Sequence, residues 1–361
     1  MIRVPVATRL SAVFLGFVAS VLGSPVANAD PMDPTVHRLG VVSPTDLRPC
    51  SVDGTNITVG SGVCAPDNAT FQRLALQLGN SIASAGLSPA RTVGYRHFYL
   101  GAEVAFTRLD GVNAGSPPTA VDDSDATRQE WADFREQNYL RLATEGGSLG
   151  ASPDPLDQAA RYRNGNRFAA STYSWTRLAF RKGLPLGLEI GGSVGRILDT
   201  GLWAFSFEVK WAMLEGFRRR WPAIFPDLAV RGAVTTLTGL RGFTLTVPTF
   251  DVTLSKGFVL AHSVTLTPYV AGQLVWIMAD SEVVDVTPGN LVDNDGERSL
   301  VTFDRIREWH PRIRAGLQIQ YTRFVLNGAF RTDLGNPARG MSAAGDMPKQ
   351  WAIDVGVGVV Y

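Results

Sequence analysis

Large apolar residues alternate with small, polar or charged residues in the stretch LWAFSFEVKWAMLEGF, residues 202–217. Every second position carries a large apolar side chain: Trp203, Phe205, Phe207, Val209, Trp211 and Met213. The positions between them include Glu208 and Lys210. Successive side chains of a strand point to opposite faces, so this period of two predicts a strand with one apolar face and one polar face.

Ten strand-like segments of this kind follow Thr92. They are residues 92–108, 170–181, 184–195, 202–214, 228–238, 243–255, 263–278, 305–321, 324–333 and 350–361. The segment 243–255 changes phase, because Phe243 and Val247 share one face whereas Phe250 falls one residue late. A bulge at Pro248 would restore the alternation, and we expect one there.

The connections between these segments differ in length in a regular way. If the first strand leaves the inner side of a barrel, the long connections 109–169, 279–304 and 334–349 all fall at the opposite end. Short turns at one end and long loops at the other are typical of outer-membrane barrels, whose tilted strands cross the bilayer in about ten residues. The alternative is a secreted sandwich, which would need a second sheet over each apolar face.

The fold class predicted is therefore all-β: a transmembrane antiparallel up-and-down β-barrel of about ten strands (roughly 8–12) over residues 92–361. Residues 1–29 are interpreted as a secretory signal peptide, because Arg3 and Arg9 precede an apolar run and Ala27-Asn28-Ala29 fits a cleavage site. Residues 30–91 are predicted to form a small periplasmic or plug-like segment on the inner side, with one short helix capped by Asp67.

The chain has two cysteines, Cys50 and Cys64, and both lie in this exported segment. In an oxidising compartment they are expected to form a disulfide. Two cysteines without a neighbouring histidine do not make a zinc site, so no metal site is predicted.

Composition excludes some classes of function. The net charge is +1 and 19% of residues are charged, below the roughly 25% of soluble domains. We therefore expect no nucleic-acid partner. No catalytic or cofactor motif is present, and no cofactor is predicted. His310 lies near Glu308 and Asp304. It keeps open one alternative function, that of an enzyme with its site at the barrel rim.

Together with the signal peptide and the alternating strands, the last segment, WAIDVGVGVVY, resembles bacterial outer-membrane β-barrel proteins. The resemblance implies a Gram-negative outer membrane as location, with membrane lipid as a partner. It also implies recognition of the C-terminal strand, with Trp351 and Tyr361, by the barrel-assembly machinery. Aromatic girdles are expected where strands meet the interfaces. The candidates are Trp203, Trp211, Trp221, Trp351 and Tyr361.

Trp221 lies in GFRRRWPAIFPD, residues 216–227, whose arginines would either contact phospholipid headgroups or form a turn folded under the barrel. In the first long connection, the capping-box pattern Thr127-Arg128-Gln129-Glu130 predicts the start of a short helix.

Alternation assigns a set of charged residues to the lumen: Glu103, Arg177, Arg181, Glu189, Glu208, Lys210, Arg231, Arg312, Arg314, Arg331 and Asp354. One interpretation is an ion-pair network that fills a narrow lumen. The other is a cationic lining, centred on Arg312 and Arg314, that passes or binds small anionic solutes. The function expected is accordingly a small passive channel or solute-binding barrel. A closed structural or surface-interaction barrel acting through its outer loops is the alternative.

Overall fold

The computed structural model describes residues 32–49, 64–113, 118, 122, 124–144, 169–215, 225–261, 263–286, 300–336 and 346–361. The predicted signal peptide, Cys50 and residues 216–224 with Trp221 lie outside these ranges.

Ten long strands form a closed antiparallel barrel, so the predicted fold class is confirmed. They are β1 (Phe98–Arg108), β2 (Thr172–Gly183), β3 (Leu188–Ile197), β4 (Trp203–Ala212), β5 (Asp227–Thr238), β6 (Phe243–Ser255), β7 (Val264–Ser281), β8 (Ile306–Tyr321), β9 (Phe324–Asp333) and β10 (Trp351–Val360). Each strand pairs with its neighbours in the chain, and β10 pairs with β1 to close the barrel.

The two faces of β4 show how the wall is built. Phe205 and Phe207 are 50% and 55% exposed on the outside, whereas Ala204 and Lys210 are 0% and 4% exposed on the inside. The outer face is thus apolar and uncovered, and the inner face is small or charged and buried. Closure pairs each strand with neighbours on both sides, as a wall in a hydrocarbon solvent requires.

Two strands begin four or more residues later than predicted because of local backbone geometry. The first strand begins at Phe98 rather than at residue 92, since Gly94 (φ 95°) and Arg96 (φ 71°) bend the chain before it. The third begins at Leu188 rather than at residue 184. Residues Pro185–Gly187 form a 3₁₀ turn there, with Leu186 at φ 62°.

The bulge predicted at Pro248 is wrong. The register of β6 with β5 is continuous across this residue, from Asp227↔Ser255 to Leu237↔Leu245. Phe243, Leu245 and Val247 face inward, and so do the polar residues that follow them on the same face. The change of phase in the sequence marks a change in the interior, from apolar to polar, and not an extra residue.

The barrel has two unlike ends. We call the end with connections 109–171, 282–305 and 334–350 the long-loop end, and the opposite end the short-turn end. The short strand Phe258–Ala261 extends β6 at the short-turn end by pairing with β7. At the long-loop end Val284–Asp285 pairs with Leu300–Val301.

The segment before the barrel contains the predicted helix, α1 (Asn68–Ile82), whose first turn is capped by the side chain of Asp67 accepting from the Thr70 amide. Residues 30–91 were predicted to form a periplasmic or plug-like segment on the inner side. The strands Gly40–Ser43, Asp46–Pro49 and Ala65–Pro66 form a small sheet at the long-loop end, and α1 lies inside the barrel. Thirteen of its 15 residues are buried.

Cys64 is buried and is not a free thiol. Its expected partner Cys50 lies outside the described residues. The Cys50–Cys64 bond therefore remains a prediction.

Helix α2 (Asp125–Leu142) lies in the first long connection. The predicted cap at Thr127 is wrong by three residues: Ser124 is the cap, and its hydroxyl accepts from the Thr127 amide at 3.2 Å. α2 covers α1 through a buried ion pair, Arg135 to Asp67 at 2.6 Å. No described helix is long and apolar enough to cross a membrane.

The barrel interior is divided into two layers. The apolar layer lies at the long-loop end and includes Phe71, Leu74, Trp131, Phe243, Leu245, Val247, Ile277 and Phe303. The ionic layer lies below it, toward the middle and the short-turn end, and consists of Glu103, Arg177, Arg181, Glu189, Glu208, Lys210, Arg231, Asp251, Arg312, Arg314, Arg331, Asp333 and Asp354.

Candidate functional site in the barrel interior

Residues 64–93, here called the plug, run through the lumen from the long-loop end to the short-turn end. The plug begins beside the small sheet, since the Asp67 amide donates to the Leu39 carbonyl at 2.8 Å. Its other end lies at the short-turn end, where the Val93 amide donates to Glu189 at 2.7 Å. The chain then turns and enters β1.

Two arginines of the wall bind the C-terminal turn of α1. Arg331 donates to the carbonyls of Ala83 at 2.9 Å and Ser81 at 3.2 Å. Arg312 donates to the Asn80 carbonyl at 3.0 Å. The last carbonyls of a helix lack intrahelical donors and carry its partial negative charge, so cationic donors are favoured there.

Two further arginines hold the chain just after the helix. Arg231 donates to the Ser84 hydroxyl at 2.8 Å and to the Ser84 carbonyl at 3.1 Å. Arg314 donates to the Ala85 carbonyl. Gly86 has φ 54°, and a Cβ there would lie 2.2 Å from the Arg231 guanidinium, so both the backbone and the close approach require glycine.

Each of these arginines also pairs with a carboxylate on the wall. Arg231 lies beside Asp251 and Glu208, at 2.7 Å from Glu208. Arg312 pairs with Asp333 at 2.6 Å, and Arg331 with Asp354 at 3.1 Å. Buried charges of this kind are tolerated only when they are paired and hydrogen-bonded. These arginines therefore each contact a wall carboxylate and a plug group at the same time, although the Asp354 oxygens accept no hydrogen bond from the described residues.

The remaining charged residues act at the short-turn half. Glu103 accepts from Arg177 at 2.6 Å and from Arg181 at 2.7 Å. Lys210 pairs with Glu189 at 2.8 Å and donates to the carbonyl of Arg91 at 3.0 Å.

The structure thus places all eleven residues first assigned to the lumen on the inner face of the wall. They are Glu103, Arg177, Arg181, Glu189, Glu208, Lys210, Arg231, Arg312, Arg314, Arg331 and Asp354. The structure brings them into one network with the plug rather than around an open passage. Arg312 and Arg314, the residues first considered for anion contact, are 3% and 2% exposed and engage plug carbonyls.

Two network members, Asp251 and Asp333, were missed in the sequence. Asp251 pairs with Arg231, and Asp333 accepts from Arg312 and from the Gln350 amide at 3.0 Å. Period two places Asp251 opposite Phe250 on the inner face whether or not a bulge precedes it, so this signal was available in the sequence and was not used. Asp333 ends its strand, where alternation gives little guidance.

His310 faces the interior and is 2% exposed, with Nε2 3.9 Å from Asp333. The arrangement considered for a rim enzyme would need this imidazole at the solvent-exposed mouth. Among described residues, no group of three potential ligands could hold a metal ion.

Aromatic residues mark both ends of the outer face. Tyr361 stacks on Phe98 at 5.2 Å at the short-turn end. Trp351 lies 6.2 Å from Phe330 at the long-loop end. Trp203 and Trp211 lie at opposite ends of β4, half-buried and exposed respectively.

A stacked pair, Trp276 and Trp309 at 4.7 Å, was not singled out in the sequence. Just beyond it toward the long-loop end, Arg307 pairs with Asp280 at 2.7 Å, which marks the change from apolar to charged surface.

The cap of the barrel, as we call α2, the small sheet and the top of α1 at the long-loop end, is fixed by charged groups. Arg48 donates to Asp46 at 2.9 Å, and this hydrogen bond holds the pKa of the Asp46 carboxyl below its usual value. Hydrogen bonds from Ser124 and Thr127 lower the pKa of Asp122 in the same way. Burial raises the pKa of Asp110.

Two cavities of the described structure adjoin the plug or the first long connection. One, of about 410 Å³, lies at the long-loop end between Leu109, Gln137 and Trp351. The other, of about 220 Å³, lies inside the short-turn half between the plug and the wall, where Lys210, Thr267 and Gln318 contribute to its lining.

No known family profile and no curated protein matches the chain. Among solved structures, the N-terminal β-barrel domain of Pseudomonas aeruginosa OprF is 14% identical, with 48% of this chain and 96% of that domain covered at a TM-score of 0.27. The outer membrane protein OprG from the same organism is 10% identical, with 75% of this chain and 99% of OprG covered at a TM-score of 0.27. Neisserial surface protein A is 13% identical, with 73% of this chain and 96% of that protein covered at a TM-score of 0.22.

These likenesses are distant, and the closed wall with its apolar exterior defines the class independently of them. The chain has the fold of an outer-membrane β-barrel protein.

Proposed function

We propose that the protein is a sealed barrel of the bacterial outer membrane, and that it acts through the cap at its long-loop end rather than as an open pore. The apolar exterior, bounded by aromatic residues at both ends, supports insertion in lipid. Long loops lie outside in this class, so the short-turn end with Tyr361 faces the periplasm. The aromatic C-terminal strand β10 fits recognition by the barrel-assembly machinery.

The observation that carries the proposal is the occupied lumen. α1 is almost wholly buried, and cationic side chains of β4, β5, β8 and β9 bind plug groups between Asn80 and Arg91. A barrel of about ten strands has an interior close to the size that side chains and one inserted segment fill. An open passage lined by free arginines, the simplest channel interpretation, is not supported by this arrangement.

The cap offers an ordered working surface. α2, the small sheet and the top of α1 are joined by charged contacts, including Arg73 to Glu136 at 2.9 Å and Arg48 to the Asp122 carbonyl at 2.8 Å. Connections held in place in this way present a fixed surface, which suits recognition of another molecule at the cell surface.

Electrical recording tests the sealed lumen. The full mature chain, reconstituted in a planar bilayer, is expected to give no stepwise conductance at moderate voltage. Regular steps from the unmodified protein, with an open time that persists across salts, would contradict the proposal.

The second candidate is a channel opened by displacement of the plug, and the composition of the ionic layer favours it. Arg231, Arg312, Arg314 and Arg331 contact the plug largely through backbone carbonyls, and they would line the lumen if it moved. Such a lumen would favour small anions.

The variant Arg312→Ala/Arg331→Ala tests this candidate, because it removes the donors to the α1 terminus. A plug-gated channel would conduct in this variant while the unmodified chain stays silent. The exposed arginine of the β8–β9 turn provides the matched control, Arg323→Ala, which should stay silent. If neither variant gives conductance, while circular dichroism shows that both retain the barrel, the plug-gated channel is excluded and the sealed barrel stands.

A further inference from the structure

The cavity in the short-turn half has a neutral polar wall that the plug contacts leave unused. It lies between residues 88–93 of the plug and strands β7, β8 and β9. Arg91 at its rim is exposed and Gln320 is half-buried, so the cavity is reached from the short-turn end.

A row of hydroxyl and amide groups crosses this wall. Thr267 pairs in register with Gln318, and Thr265 with Gln320, so the four side chains lie side by side on the inner face. Tyr99 completes the row from β1. Its ring lies on Gly101 and Gly358, where a Cβ would come within 2.1 Å and 2.4 Å of it.

The polar atoms of Tyr99 and Asn327 are closed off from the cavity, since both residues are only 1% exposed. The groups that an occupant can reach are therefore the hydroxyls of Thr265 and Thr267 and the amides of Gln318 and Gln320. An occupant that both donates and accepts hydrogen bonds would match them.

The chemistry of the remaining lining restricts the occupant. The charged groups on the opposite side are already paired, Lys210 with Glu189 and Arg181 with Glu103, so a charged ligand would find no free counter-charge among them. Val93, Val325 and Val360 supply an apolar patch. Amides and hydroxyls that donate and accept, next to apolar contact, match vicinal hydroxyls on a carbon skeleton.

The volume of the cavity limits the size of its occupant. About 220 Å³ corresponds to roughly seven water volumes of about 30 Å³ each. That space accommodates a molecule between a triol and a monosaccharide. We propose that this cavity binds a small uncharged polyhydroxylated molecule entering from the short-turn end. The site does not require the plug to move, so it is independent of the function proposed above.

Calorimetric titration of the detergent-purified full chain tests the site, with glycerol and D-glucose as neutral probes and D-gluconate as the charged one. We expect saturable binding of at least one neutral probe and weaker binding of gluconate. Thr267→Val and Gln318→Leu should each weaken it about three- to tenfold, the loss of one neutral hydrogen bond.

Thr236→Val is the matched control, because Thr236 is exposed on the outer face of β5 and its removal should leave binding unchanged. Circular dichroism shows that each variant retains its barrel. Absence of saturable binding for both neutral probes, or equal binding by the Thr267 and Thr236 variants, would mean that water alone fills the cavity and would overturn the proposal.

Discussion

The two layers of the barrel interior hold the same plug by different physics. In the apolar layer Phe71 stacks on Phe303 at 4.8 Å and meets Phe243 edge-on at 5.4 Å. In the ionic layer the plug is held by hydrogen bonds from arginines to carbonyls. Apolar contact is non-directional and gives strength, whereas paired charges require a particular geometry. The comparison suggests that the apolar layer binds the plug and that the ionic layer fixes its position.

The largest effect is expected from breaking one buried pair in the ionic layer. Arg331→Met leaves Asp354 buried without its partner and removes the donor to the carbonyls of Ser81 and Ala83. The free energy of unfolding should fall by about 4 kcal/mol, measured by urea titration in lipid vesicles.

The double variant Arg331→Met/Asp354→Leu sharpens this test, since it removes both charges. Replacement of a buried pair by apolar residues is often neutral or stabilising, so most of the loss should be recovered. If the single variant were as stable as the parent, the pair would not be buried as described.

A somewhat smaller loss is expected in the apolar layer. Phe71→Ala removes two ring contacts and leaves a cavity that the closed wall cannot collapse into, which should lower the free energy of unfolding by about 3 kcal/mol. The control is Phe205→Ala on the outer face, where lipid fills the vacated space, and a smaller loss is expected in the same titration. Equal losses at the two sites would contradict the assignment of faces.

A substitution in the cap over the apolar layer should have a smaller effect on stability than one in either layer. Ser124→Ala removes the N-cap of α2 and should lower the free energy of opening of residues 125–142 by about 1 kcal/mol. Faster amide hydrogen exchange in this helix would measure the change. Ala126→Ser, at an exposed position in the first turn, is the control and should change exchange little. Unchanged exchange in Ser124→Ala would show that packing on α1 alone defines where α2 begins.

The smallest effect is expected from pH. The pKa of Asp46 is lowered in the folded state, so its stabilisation is complete above the ordinary carboxyl value of 3.8 and is lost as the pH falls through the lowered pKa. Pepsin cleavage within the cap should therefore increase below about pH 4. Asp46→Asn should lose this pH dependence, and a parent-like profile in that variant would assign it to another carboxyl.

Much of the wall was predictable because alternation is a local property. Phe205 and Lys210 lie on opposite faces, as period two requires, and nine of the ten strands begin within four residues of the predicted position. Asp67 also caps α1 as predicted, because capping depends only on neighbouring residues.

The contents of the barrel were not predictable in the same way. Whether Arg312 meets a solute or the Asn80 carbonyl depends on the position of a segment more than 200 residues away in the chain, and no local pattern encodes it. The apolar inner face of Phe243 and Val247 was the one sequence signal of an apolar filling, and it was taken for a bulge at Pro248.

The central claim is that α1 lies inside the barrel, and engineered cysteines test it most directly. A Cβ at position 79 would lie 2.8 Å from side-chain atoms of Ile277, which is compatible with the Cβ separation of about 3.5–4.5 Å in disulfides. Gly79→Cys/Ile277→Cys is oxidised in detergent, and peptide mapping by mass spectrometry identifies the partners. The account predicts efficient 79–277 bonding and none in Gly79→Cys/Leu274→Cys, whose second cysteine faces outward. No 79–277 bond, or equal bonding in the two variants, would show that the helix does not occupy the lumen.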